Sequence, residues 1–235
     1  MSSSGPTRPT IALAHEEDAI RKVASIVLEQ AGFAVVPCAT GRALESLVTD
    51  TALAAVVADV GLADLPGYEI APRLRTRRSD LVIVLVSAVF RKTSYKRRPT
   101  RLYGADEYVE LHHVPDHLPA RLWRRLARRW GPPPEDLSFE AVRPAVAAEG
   151  DRRIFRLADD RIVDLVVADA LLYGGSEVAE AGDIETALAI AAGDLDAVVE
   201  VLAEFGVYGA DRSAIRRAAT GAMARAFERM RREGR

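Results

Sequence analysis

The run "LVIVLVS" (Leu81–Ser87) constrains the fold of this chain most. It is uncharged, and its Val and Ile residues favour strand. A strand apolar on both faces must be covered on both, which is the habit of parallel sheets. Parallel strands need crossover connections, usually helices, and the flanking sequence supplies them. Short apolar strands are predicted at Thr10–Ala14, Ala34–Cys38, Ala54–Ala58 and Asp106–Glu110. Pro37 marks the second as an edge strand, because a proline cannot donate to the ladder. Between them the 3.6-residue period predicts helices at Ala19–Ala31, Arg42–Val48, Tyr68–Arg78 and Leu118–Trp130. Pro72 restricts the start of the third or kinks it. The expected product is an α/β fold, a doubly wound five-stranded parallel sheet over residues 9–130.

"GPPP" (Gly131–Pro134) ends that alternation, and a stiff linker is read at 131–136. Beyond it an all-α C-terminal module is expected over 137–235. Its helices are read near Ile154–Tyr173, Ile184–Ala192, Leu195–Phe205 and Arg212–Arg232. Gly174–Gly175 and Gly193 serve as stops and Asp183, Asp194 and Asp211 as N-caps. The last helix carries a packing stripe of Ile215, Ala219, Met223, Phe227 and Met230.

In open α/β sheets functional residues gather at the carboxyl ends of strands, near the switch in strand order. Within "AAVVADVGLADLPGYEI" the third strand runs into Asp59 at such an end. The acidic loop "HEED" after the first strand and Ser87 after the fourth fall on the same edge.

Together these segments resemble the receiver domain of two-component response regulators, over roughly Arg8–Trp130. "HEEDAIRKVASIVLEQAGF" matches the acidic loop and first helix, and "VVADVGLADLPGYEI" the phosphoacceptor loop, with Gly67 at the usual downstream glycine. "LVIVLVSA" and "GADEYVE" match the fourth and fifth strands. The resemblance implies a non-enzymatic signalling module in which Asp59 is the phosphoacceptor. Mg²⁺ would be held by Asp59, Glu16 and the backbone of Gly61, Ser87 would contact the phosphoryl group, and Tyr108 would be the switch aromatic. Phosphoryl transfer to a carboxylate needs such a cation and such donors.

The departures are specific. His15 stands at the first acidic position, with Glu17 as a candidate substitute, and Leu111 stands where receivers carry a lysine. Lys92 is a candidate replacement cation. Weak Mg²⁺ binding and an incomplete switch are expected. His15→Asp should tighten Mg²⁺ and Leu111→Lys should strengthen the switch.

His15, His112, His113 and His117 raise a zinc hypothesis, but adjacent histidines on a strand face opposite ways and no cysteine lies near. They are read as surface residues. The stretches "RKTSYKRRPTR" (Arg91–Arg101) and "RLWRRLARR" (Arg121–Arg129) flank the fifth strand. The first stands where the fourth helix should be. A basic output face of Lys92, Lys96, Arg97, Arg98, Arg101, Arg124 and Arg125 is expected, or else a solvated face or a partner for the acidic second half.

Composition narrows the functional classes. A net charge of -2 implies no overall polyanion partner. The single cysteine, Cys38, excludes an internal disulfide and fits a reducing compartment. No run is long and apolar enough to span a bilayer. "MSSSGPTRPT" lacks a signal-peptide core, so a cytoplasmic location is expected.

The leading expectation is a response regulator working through protein partners, a sensor kinase and an output protein, with a homodimer through the C-terminal helices in view. The alternatives are a phosphorylation-independent pseudo-receiver scaffold and a polyanion or nucleic-acid binder using residues 91–101 and 121–129.

Overall fold

The computed structural model describes residues 8–50, 52–87, 102–133 and 158–233. The chain divides into two compact units, Met1–Ala88 with Gly104–Arg153, and Val89–Tyr103 with Ile154–Arg235.

The first unit is the expected five-stranded parallel sheet. Its strands are β1 (Thr10–Ala14), β2 (Ala34–Cys38), β3 (Leu53–Asp59), β4 (Val82–Ser87) and β5 (Glu107–Glu110), in the spatial order β2-β1-β3-β4-β5. Pro37 lies on an edge strand, as its missing N–H demands. The helices are α1 (Asp18–Gln30), α2 (Gly41–Leu47), α3 (Gly67–Arg77) and α4 (Val114–Trp130). α4 starts four residues before its expected first residue, because Leu111–His113 forms a 3-10 turn that leads straight into it. Pro115 fits its first turn, where a helix needs no N–H.

Strand periodicity distributes the core. Ile11, Leu13, Ala55, Val57, Val84, Val86 and Val109 join α1 and α4 in one cluster, which holds Ile20, Val27, Leu28, Leu118 and Leu122. Phe33, fully buried, stacks on Trp123 at 4.7 Å between ring centroids, and the Trp123 indole N–H donates to the Ala31 carbonyl at 2.8 Å. The alternate residues Ala12, Val56, Ala58, Ile83 and Leu85 are also buried and point to the opposite face. α2 and α3 pack together and bury Leu44, Ile70 and Leu74.

The second unit is helical: α5 (Asp159–Glu180), α6 (Ile184–Ile190), α7 (Ala192–Glu204) and α8 (Arg212–Glu233). α8 packs on the other three. Of its expected stripe, Ile215, Ala219, Met223 and Phe227 are buried and Met230 is half-buried. Two helix stops need correction. α5 continues through Gly174–Gly175, and Gly193 lies inside the first turn of α7. A glycine weakens a helix by only about 1 kcal/mol, and buried neighbours such as Leu171, Leu172 and Val178 supply more than that. Asp194 falls inside α7 and is not its cap. Asp183 caps α6 through the Thr186 N–H at 2.8 Å, and Asp211 accepts from Ser213 and Ala214 at the start of α8. Tyr103 belongs to this unit, where its hydroxyl donates to the Leu171 carbonyl at 3.0 Å. Among the described residues no helix is long and apolar enough to cross a membrane.

Candidate functional site

The register decides which residues meet. β1 and β3 are neighbours with Ala14 opposite Ala58, so the next residues, His15 and Asp59, stand side by side at the strand ends. β3 pairs with β4 with Asp59 opposite Val86, which puts Ser87 one step beyond. Asp59 and Ser87 are 1% and 4% exposed.

Each Asp59 oxygen has a neighbour. The Gly61 N–H donates to Oδ1 at 3.1 Å, and His15 Nε2 lies 3.5 Å from Oδ2. The Glu17 backbone N–H donates to His15 Nδ1 at 3.1 Å. An Nδ1 that accepts carries no proton, so the neutral ring bears its proton on Nε2, aimed at Asp59. At 3.5 Å this is an electrostatic contact, longer than an ordinary hydrogen bond.

Arg21, which sequence reading passed over, organises the acidic loop. Its guanidinium donates to the His15 carbonyl at 2.6 Å and the Glu16 carbonyl at 2.7 Å, and reaches Asp18 at 3.1 Å. The signal available was only its position one turn into α1. Asp64 was missed as well. Its carboxylate accepts from Gly41 at 2.8 Å and Arg42 at 3.0 Å, tying the loop after β3 to the start of α2. Burial raises the Asp64 pKa, but the backbone N–H groups of Arg42 and Gly41 outweigh it and leave the group below its ordinary value.

Gly67 has a steric reason. A Cβ there would lie 2.9 Å from the Val60 Cα, 3.0 Å from Leu85 Cδ2 and 3.2 Å from the Asp59 carbonyl oxygen. Gly67→Ala is expected to destabilise the first unit by about 1–3 kcal/mol, the usual cost of overpacking. Urea unfolding followed by tryptophan fluorescence reads this unit, since Trp123 and Trp130 both lie in α4. An unchanged midpoint would show that Val60 yields without strain.

One neighbour of Asp59, His15, is unlike the oxygen donors that Mg²⁺ takes. That ion demands near-octahedral oxygen ligation at about 2.0–2.1 Å, whereas an N–H is directed at Asp59 Oδ2. The Arg21 cation sits on the same loop. Glu16 and Glu17 are half-buried, and among the described residues no three His, Cys, Asp or Glu side chains group to hold a metal.

Leu111, at the lysine position, is 3% exposed and belongs to the apolar core. With His15, Ile20, Val86, Val114 and Leu118 it lines a small cavity beneath the site. Tyr108 is buried, and its carbonyl accepts from Arg121 at 2.9 Å.

Of the expected basic face, Lys92, Lys96, Arg97, Arg98 and Arg101 lie outside the described residues. Arg124 and Arg125 donate to Glu107, at 2.6 and 2.9 Å, and Arg121 joins them at 3.2 Å. Burial raises the Glu107 pKa, but hydrogen bonds from Arg124 and Arg125 prevail and hold it below its ordinary value. These arginines are engaged within their own unit. Local periodicity could not reveal this, because Glu107 lies on a strand 14 to 18 residues away.

No family model matches the chain, and no curated protein does. Solved structures match about half of it. A BeF3-activated DrrB receiver domain is 30% identical, with a TM-score of 0.43, covering 52% of this chain and 100% of that one. The response regulator DrrB, a Thermotoga maritima OmpR/PhoB homologue, is 30% identical at a TM-score of 0.43, covering 52% of this chain and 54% of its own. The Thermotoga maritima response regulator TrrA, in complex with Mg²⁺-BeF, is 24% identical at 0.44, covering 50% of this chain and 99% of that one. Beyond residue 133 the described residues are mostly helical.

Proposed function

From the premise that the chain belongs, over its first half and by 30% identity across a whole receiver domain, to the response regulator receiver family, we propose that it is a signalling regulator with its Asp59 pocket satisfied from within. It works through protein partners without a phosphorylation cycle and without an enzymatic activity of its own. One observation carries the proposal: the His15 N–H is held against Asp59 by the Glu17 backbone, where a receiver would keep a cation. The proposal takes in a cytoplasmic setting, an output protein as partner, a division of the chain at 131–136 and self-association through the helical unit.

The second reading keeps Asp59 as phosphoacceptor, Ser87 as phosphoryl contact and a sensor kinase upstream. It is favoured by the placement of Asp59 and Ser87 on one sheet edge. Polyanion binding has less support, because Arg121, Arg124 and Arg125 are engaged by Glu107.

Incubation with Mg²⁺ and acetyl phosphate separates the first two. The expected mass spectrum shows no hydroxylamine-labile adduct. An adduct on the wild-type chain that disappears in Asp59→Asn would overturn the proposal and install the phosphorylation switch.

A further inference from the structure

The short helix α6, "IETALAI", is mostly apolar, yet only Ala187 within it is buried. Ile184 and Ile190 are 38% and 39% exposed. Leu188, one turn on from Ile184 and on the same face, is half-buried. Ile184 stands on the edge of an open cleft of about 390 Å³ between the start of α6 and the end of α8, lined also by Asp183, Phe227, Glu228, Arg231 and Arg232. Phe227 is buried, and the Arg231 guanidinium lies over its ring, 5.6 Å from the centroid. The charges at this cleft differ from others on α8. Arg212 pairs with Glu200, Arg216 with Asp196 and Arg225 with Asp164. Glu228, Arg231 and Arg232 are exposed and join no ion pair among the described residues.

We propose that this cleft is the face through which two copies of the chain associate, with Ile184 of each copy seated in the cleft of the other. The proposal rests on the self-association of the helical unit and gives it a surface. A two-fold interface brings one patch against itself, so the patch must be its own complement. Here two carboxylates, Asp183 and Glu228, and two guanidiniums, Arg231 and Arg232, surround the apolar Ile184 and Phe227. A two-fold axis beside Ile184 sets the acids of one copy against the arginines of the other. A strongly acidic or strongly basic partner would meet as many like charges as opposite ones. An apolar centre within a charged rim is the ordinary anatomy of a protein interface, and aromatic and arginine side chains are enriched there. Burial of Ile184 supplies the anchor, and the rim charges fix the register.

Sedimentation velocity of the full chain over a dilution series reads the association. The wild type should pass from monomer to dimer as concentration rises. Ile184→Asp places a carboxylate in the first turn of α6, where a helix favours one. It should raise the dimer dissociation constant roughly tenfold or more, the usual loss at an interface anchor. Glu228→Arg and Arg231→Glu should each weaken the dimer, because each sets like charges across the axis. Mixed in equal amounts, these two variants should associate again, since the acids of one then face the arginines of the other. A wild type that stays monomeric would overturn both the surface and the self-association, and would leave the cleft to a different protein. A dimer that none of the three substitutions weakens would overturn the surface alone, with self-association through the helical unit still standing. Neither result depends on the outcome with acetyl phosphate.

Discussion

A His15→Asp variant is expected to bind Mg²⁺ roughly tenfold to a hundredfold more tightly than the wild-type chain. The substitution removes the N–H aimed at Asp59 Oδ2 and supplies a second carboxylate at the end of β1. Charge-assisted contacts are worth about 1.5–3 kcal/mol, and each 1.4 kcal/mol or so is a factor of ten in affinity. The Gly61 amide, which donates to Asp59 at 3.1 Å, is the natural NMR reporter. In the wild type its shift should barely respond to Mg²⁺, whereas in the variant it should saturate. The same variant should gain the acetyl phosphate adduct that is not expected of the wild type. If Mg²⁺ moves the Gly61 amide equally in both proteins, His15 does not stand in for the cation.

Leu111→Lys is expected to destabilise the first unit by about 3 kcal/mol or more, a reversal of the gain of switching that its position alone suggests. Leu111 packs with Ile20, Val114 and Leu118. Truncating a buried leucine costs about 2–5 kcal/mol, and a buried ammonium without a partner adds a desolvation penalty. The urea midpoint from tryptophan fluorescence should fall clearly, while Leu111→Met, close to Leu in volume, should cost under about 1.5 kcal/mol. An unchanged midpoint for Leu111→Lys would mean that the ammonium reaches Asp59, and the ordinary receiver contact would then be available after all.

Most strands and helices of the first unit were legible because their signals are local. The β-branched run at 82–87, the edge proline at 37 and the apolar face of α1 each state their environment within a few residues. Asp59 and Ser87 could be placed for the same reason, since a strand that ends on a polar residue marks the sheet edge. The helix boundaries that failed did so where packing outweighs propensity. Gly174 and Gly175 are weak helix formers, yet α5 continues through them. α4 begins early because Leu111 and Val114 are drawn into the core.

Residue order alone therefore established the α/β alternation, the parallel sheet and the acid at its carboxyl edge, and it proposed breaks in the receiver pattern at positions 15 and 111. It could not say what those breaks do. Whether His15 faces solvent or Asp59 depends on the pairing of β1 with β3 and on a backbone N–H from Glu17 that selects the tautomer. Whether Arg124 and Arg125 present a basic face or surround Glu107 depends on how α4 lies against β5. Whether His113 and His117 diverge or stack depends on a single 3-10 turn. Each outcome is set by the direction of a side chain relative to a partner brought near by folding, and such directions are not written in local periodicity.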